Sequence, residues 1–85
     1  MSFPTPMTMA QIQYAISEMK KEIEIWYSED HHLHKMIPQM EEMSQHNDYA
    51  TREKLMRWLG FMQGVMWEHD HYTIDDLRKM NTREL

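Results

Sequence analysis

The run from Trp58 to Trp67, WLGFMQGVMW, constrains this chain more than any other stretch. It is the most apolar segment, and it carries both glycines, Gly60 and Gly64, four residues apart. Residues four apart lie on one face of a helix. The two glycines therefore form a strip without side chains, flanked by large residues. Each glycine costs about 1 kcal/mol relative to alanine inside a helix, so the strip needs a use. One use is close packing of a second helix; the other is a floor beneath a bound small molecule.

The flanking sequence predicts helices throughout. Strand-like alternation of β-branched residues is absent, and two glycines and three prolines leave little for hairpin turns. Residues 1–8 read as an extended arm, since Pro4 and Pro6 bias their predecessors away from helix. Phe3 either anchors that arm or is loose. Thr8 and Gln11 have capping-box spacing, with Met7 and Ile12 at the staple positions. From there Ile12, Ile16, Met19, Ile23, Trp26, Leu33, Ile37 and Met40 alternate at four and three, a coiled-coil-like seam that Asp30 interrupts. The spacing predicts a helix over 9–36. Pro38 stops or kinks it and suits the first turn of a connector over 38–46. Asn47 or Asp48 caps a second long helix over 49–68, with Leu55, Leu59, Met62, Met66 and His69 as its stripe. Thr73 and Asp76 repeat the capping pattern, with Tyr72 and Leu77 at staple positions, ahead of a short helix over 74–80. Residues 81–85 read as frayed. The expected fold is all-α and a single domain: an antiparallel hairpin of two long helices with a short C-terminal helix.

Such a hairpin has a shortage of core. Chains of this size bury only roughly 60–65% of the surface they expose unfolded. With 85 residues and no cysteine, no disulfide can compensate. Trp26, Tyr27, Trp58, Phe61 and Trp67 are in surplus over what two helices can cover, and an exposed apolar face normally marks an interface. The chain is therefore expected to assemble as a homo-oligomer. The eleven methionines add to this, because flexible thioethers recur on adaptable binding surfaces.

Charge narrows the partners. The formal net charge of −5 argues against duplex nucleic acid and anionic membranes, which require a basic footprint. The first residues lack the basic and apolar regions of a signal peptide, and no run approaches the roughly 18 apolar residues of a membrane span. These features, with the lack of cysteine, point to the cytoplasm.

The histidines form two groups, His31, His32 and His34, then His69 and His71. If the hairpin turns near residue 43, these groups stand about 20 Å apart at ~1.5 Å per residue. They read as solvated helix-end histidines, and no metal or cofactor is expected. No phosphate loop, dinucleotide fingerprint or nucleophile triad is present, so the chain does not read as an enzyme. Cations and rings are more suggestive. Lys20 and Lys21 lie in the first helix, Arg52, Lys54 and Arg57 at the start of the second. Tyr14, Trp26, Tyr27, Tyr49 and Trp58 supply aromatic faces, and stacking rings beside cations suit a nucleobase with its phosphate. The plainer account is ordinary solvated charge on amphipathic helices.

With Gly60–Phe61–Met62 on a helix that begins with Lys and Arg, after a short arm, a lysine-bearing long helix and a polar turn, the sequence resembles the small helical anti-CBASS proteins of tailed phages. The literal motif is three residues; the layout covers about two thirds of the chain. The resemblance implies a homo-oligomer, hexameric in the well-known members, that sequesters cyclic oligonucleotide immune signals in the host cytoplasm without cleaving them. It implies a ligand-binding lysine on the first helix, Lys20 or Lys21. The family's tyrosine ahead of that helix has no counterpart, since Tyr14 lies within it, and the tail from Tyr72 to Leu85 is an addition. The candidate ligand-binding set is Tyr14, Lys20, Lys21, Trp26, Arg57 and Phe61. The competing expectation is an acidic helical inhibitor or adaptor that occupies a groove on a host protein.

Overall fold

The computed structural model describes residues 7–83, so the arm with Phe3, Pro4 and Pro6 lies outside the described residues. Four helices follow in order: α1 (Met9–Trp26), α2 (His32–Met43), α3 (Tyr49–Glu68) and α4 (Ile74–Asn81). The described residues contain no strand, and none of the helices is long and apolar enough to cross a membrane.

The helix starts follow the sequence closely. Thr8 accepts from the Gln11 amide while the Gln11 side chain accepts from the Thr8 amide, a complete capping box. Thr73 and Asp76 form the same reciprocal pair at α4. Asp48 caps α3 by accepting from the Thr51 amide and hydroxyl, which holds its carboxyl below the usual range. Each cap satisfies amides that the first helical turn leaves without a partner.

The single helix expected over 9–36 is two. α1 ends at Trp26, and Tyr27 turns extended as its C-cap. The polar residues 28–30 make the turn, closed by the His31 amide donating to the Ser28 carbonyl at 2.9 Å. His31 then caps α2, its Nδ1 accepting from the Leu33 amide at 3.1 Å. The physical reason is the core shortage. A continuous helix would hold the stripe of Ile12, Ile16, Met19 and Ile23 in line with that of Leu33, Ile37 and Met40. A break at the Asp30 interruption folds the second stripe onto the first, and all seven residues are buried. Pro38 neither stops α2 nor starts it but lies within it, on the exposed side, where water can serve the carbonyl that the missing N–H leaves unpaired.

The direction of the helices differs accordingly. Gln13 Nε2 donates to the Ser44 carbonyl at 2.9 Å and Lys20 pairs with Glu41 at 3.3 Å, so α2 runs antiparallel to α1. α3 returns alongside α1 in the same sense, with His69 at its end meeting Tyr27 at the end of α1. α4 runs back again, bringing Arg83 to Gln11 and Tyr14. The expected two-helix hairpin is thus an up–down–up–down arrangement in which α1 packs against each of the other three.

The core is the inner stripe of every helix: Ile12, Met19 and Ile23 from α1, Leu33 and Met40 from α2, Leu55, Leu59, Met62 and Met66 from α3, with Met80 from α4. His69, expected on the α3 stripe, is exposed. No described methionine is exposed. Methionine here fills irregular gaps between helices of unequal length, and Met36 and Met80 also reach the lining of surface concavities. Gln63 and Asn81, joined by reciprocal amide bonds of 2.7 and 2.9 Å, fasten α4 to α3. The tail expected to fray from residue 81 is held as far as Arg83, whose carbonyl accepts from Gln11 at 3.1 Å.

Candidate functional site

The six candidate residues do not converge within one chain. They fall on four parts of the surface. Arg57 and Phe61 stand together on the face between α2 and α3; Tyr14 and Lys21 line a cleft between α1 and α4. Lys20 lies in the α1–α2 groove, and Trp26 at the end of α1.

The α2–α3 face is built by helical spacing. Lys54, Trp58 and Phe61 recur at four and three on α3, with Arg57 between, while His32, Met36 and Gln39 do so on α2. They enclose a concavity of about 380 Å³ lined by His32, Met36, Gln39, Arg57, Trp58 and Phe61. The Lys54 ammonium sits 5.5 Å from the centre of the Trp58 ring. His32 meets Phe61 edge to face at 6.1 Å. No carboxylate lines this face. Among the described residues, neither Lys54 nor Arg57 has an acidic partner. In a chain of net charge −5, a concave patch with cations, rings and no acid is the arrangement that suits an anionic aromatic ligand. His32 was missed by the sequence reading, because its place depends on α2 starting at residue 32. Lys54 and Trp58 were legible as i,i+4 neighbours.

The other candidates have partners already. Lys20 pairs with Glu41 and Lys21 with Glu18, each at 3.3 Å. The Trp26 indole donates to Glu22 at 2.9 Å, and its ring stacks, tilted, on His71 at 5.5 Å. Tyr14 carries the guanidinium of Arg83 4.7 Å above its ring, and its hydroxyl accepts from Arg83 Nη1 at 2.9 Å. That cleft encloses about 700 Å³. Its lining mixes Glu18, Glu22 and Asp76 with Lys21, Lys79 and Arg83. Tyr72 lines it too, with a buried hydroxyl that has no hydrogen-bond partner. Burial first, then the carboxylates of Glu22, Glu18 and Asp76, push that phenol well above its ordinary range.

The histidine groups are not separated as expected. Tyr27 gathers them: its hydroxyl bonds His69 Nδ1 at 2.9 Å, and its ring lies 4.5 Å from His31 and 5.3 Å from His71. The 20 Å separation assumed a turn near residue 43; the turn at 28–30 brings the start of α2 to the end of α3 instead. Among the described residues no three acid or imidazole side chains converge to hold a metal ion.

The glycine strip faces outward. A Cβ built at Gly60 or Gly64 would meet nothing within 4 Å, so among the described residues no helix packs closely on the strip. Phe61 and Trp67 beside it are 53% and 47% exposed, and Ile74 across from it 56%. No family model, curated protein or solved structure matches the chain.

Proposed function

We propose that this chain is a binding module without catalytic activity, which holds an anionic, base-bearing ligand of the cyclic oligonucleotide class on the α2–α3 face and sequesters it. One observation carries the reading. Arg57 lines the concavity with Trp58 and Phe61, Lys54 sits over the Trp58 ring, and neither cation has an acidic partner among the described residues. A purine stacks on the rings, and a phosphodiester takes charge-assisted bonds from the guanidinium. The resemblance to anti-CBASS proteins supplies the biological setting: a phage-encoded sponge in the host cytoplasm that starves immune effectors of their signal.

The concavity is at the lower end of small-molecule sites, which span roughly 300–1,000 Å³. It has room for about one nucleotide and leaves the rest of a cyclic ligand to a second copy of the chain. The proposed protein is therefore a homo-oligomer with shared pockets. Lys20 and Lys21, each already paired, contribute less than Arg57.

The test is isothermal titration with cyclic di- and trinucleotides, at an assembly mass fixed by light scattering. The expected result is binding with fewer sites than chains. Arg57→Ala should weaken it by roughly tenfold or more, the worth of a charge-assisted bond. A flat titration from a folded assembly would sink the proposal. The alternative is then a protein-directed inhibitor or adaptor. It draws on the uncharged surface of Gly60, Gly64, Trp67, Ile74 and Leu77, and predicts a stable complex with a host protein.

A further inference from the structure

The α1–α4 cleft poses a separate question from the α2–α3 face. Tyr14 was a candidate for stacking a base, yet its ring already bears a cation from the same chain. Arg83 lies 4.7 Å above it and donates to its hydroxyl at 2.9 Å. This contact joins residues 69 apart in sequence. The segment that delivers Arg83 is held by two independent ties, the Gln11 bond to its carbonyl and the Gln63–Asn81 amide pair just before it. The guanidinium is thus seated in the cleft rather than trailing beside it.

What remains when Arg83 is set aside is an acceptor for a guanidinium. Glu18, Glu22 and Asp76 outnumber Lys21 and Lys79 in the lining. Glu22 has no cationic partner among the described residues; its carboxylate accepts only from the Trp26 indole. The Tyr72 hydroxyl, buried and without a partner, can accept one N–H. Arg83 uses only the Tyr14 ring and hydroxyl, and leaves Glu22 and the Tyr72 hydroxyl of the same lining without a cationic donor among the described residues. A flat guanidinium stacks on the Tyr14 ring while its N–H groups stay free to donate in its plane, whereas an ammonium is a point charge that cannot stack.

We infer that the α1–α4 cleft is a guanidinium site, occupied by the chain's own Arg83 and open to an arginine side chain from a basic partner peptide. Arg83 competes with that arginine, so the site is self-inhibited. The charge of the whole chain, −5, favours a basic partner.

The experiment is fluorescence anisotropy with a labelled Gly-Arg-Gly-Arg-Gly peptide, its lysine counterpart and, as an unlabelled competitor, free arginine amide. Wild type and Arg83→Ala are compared, since Arg83 is exposed and its removal leaves the core intact. Arg83→Ala should bind the arginine peptide roughly two- to fivefold more tightly, the range set by losing one exposed cation–π contact. Tyr14→Leu, checked for folding by circular dichroism, should weaken arginine-peptide binding to the Arg83→Ala protein by at least a similar factor. Competition by free arginine amide at peptide-like affinity would assign the site to small guanidinium compounds; its failure would assign it to arginine within a peptide. Equal binding of the lysine peptide would overturn the inference, as would an affinity that Arg83→Ala leaves unchanged, or no binding to either protein.

Discussion

On the α2–α3 face, Lys54 and Arg57 stand among rings with no acidic partner among the described residues; in the α1–α4 cleft, Lys21 pairs with Glu18, Lys79 lies near Asp76, and the half-buried Tyr14 ring is already covered by Arg83. Both surfaces draw on the same residue types, and both lie on helices that share one core. What separates them is register. Helical spacing places Lys54 over Trp58 and sets Arg57 beside Trp58 and Phe61 on α3, opposite the uncharged Met36 and Gln39 of α2. On α1 the same spacing puts Lys21 one turn from Glu18, and α4 then adds Asp76 and Lys79 opposite. A basic residue offers a site for an anion only where the neighbouring helix brings no acid. That is why Lys20 and Lys21, attractive in the sequence, are less promising than Arg57.

The strongest way to break the comparison is to empty part of the one core on which both surfaces are built. Leu59→Ala should cost about 2–5 kcal/mol, the range for emptying a fully buried leucine position. Urea denaturation should show it, with both binding functions lost together. A smaller perturbation should separate the two. Gln63→Ala leaves Asn81 without its reciprocal amide and should cost about 1–3 kcal/mol. Hydrogen exchange should then show α4 loosened and the α1–α4 cleft opened, while the α2–α3 face keeps its protection.

Tyr72→Phe sharpens the cleft alone. Deleting a buried, unpartnered hydroxyl should stabilise the protein by about 1 kcal/mol at neutral pH. The same variant should flatten the alkaline limb. The folded phenol titrates above its unfolded value, so the unfolded chain loses its proton first. Stability is fully present below the ordinary tyrosine range near 10 and falls as pH rises through and beyond it. Thermal melts from pH 8 to 11 check the sign; a wild-type curve no steeper than that of the variant would refute it. The smallest effect is expected at the outward strip. Gly60→Ala and Gly64→Ala meet no neighbour and should each raise stability by up to about 1 kcal/mol through helix propensity. If light scattering finds a smaller assembly in these variants, the strip is an interface between copies; an unchanged mass places that interface elsewhere.

Much of this fold was legible in advance. Both capping boxes, the Asp48 cap, the all-helical class and the buried stripe of α3 follow from local spacing, because a cap is satisfied by residues three apart and a stripe by residues three and four apart. The break at 27–31 was visible only as the Asp30 interruption. Deciding between a flaw in a long helix and a turn required knowing what the second stripe packs against. The candidate site was legible in part for the same reason. Arg57 and Phe61 share a face by spacing alone, whereas His32, opposite them, depends on where α2 begins.

The sequence by itself determined the starts of α1 and α4, that of α3 to within one residue, most of the buried positions and the stock of rings and cations, all quantities set within one or two helical turns; Trp26 and His69, expected on buried stripes, are exposed. Only the tertiary structure decided that α1 and α3 run in the same sense, that Tyr27 gathers histidines from two segments, and that Arg83 covers Tyr14. Those outcomes join residues far apart in the chain. They are fixed by the burial of four apolar stripes against one another, a condition that no local pattern contains.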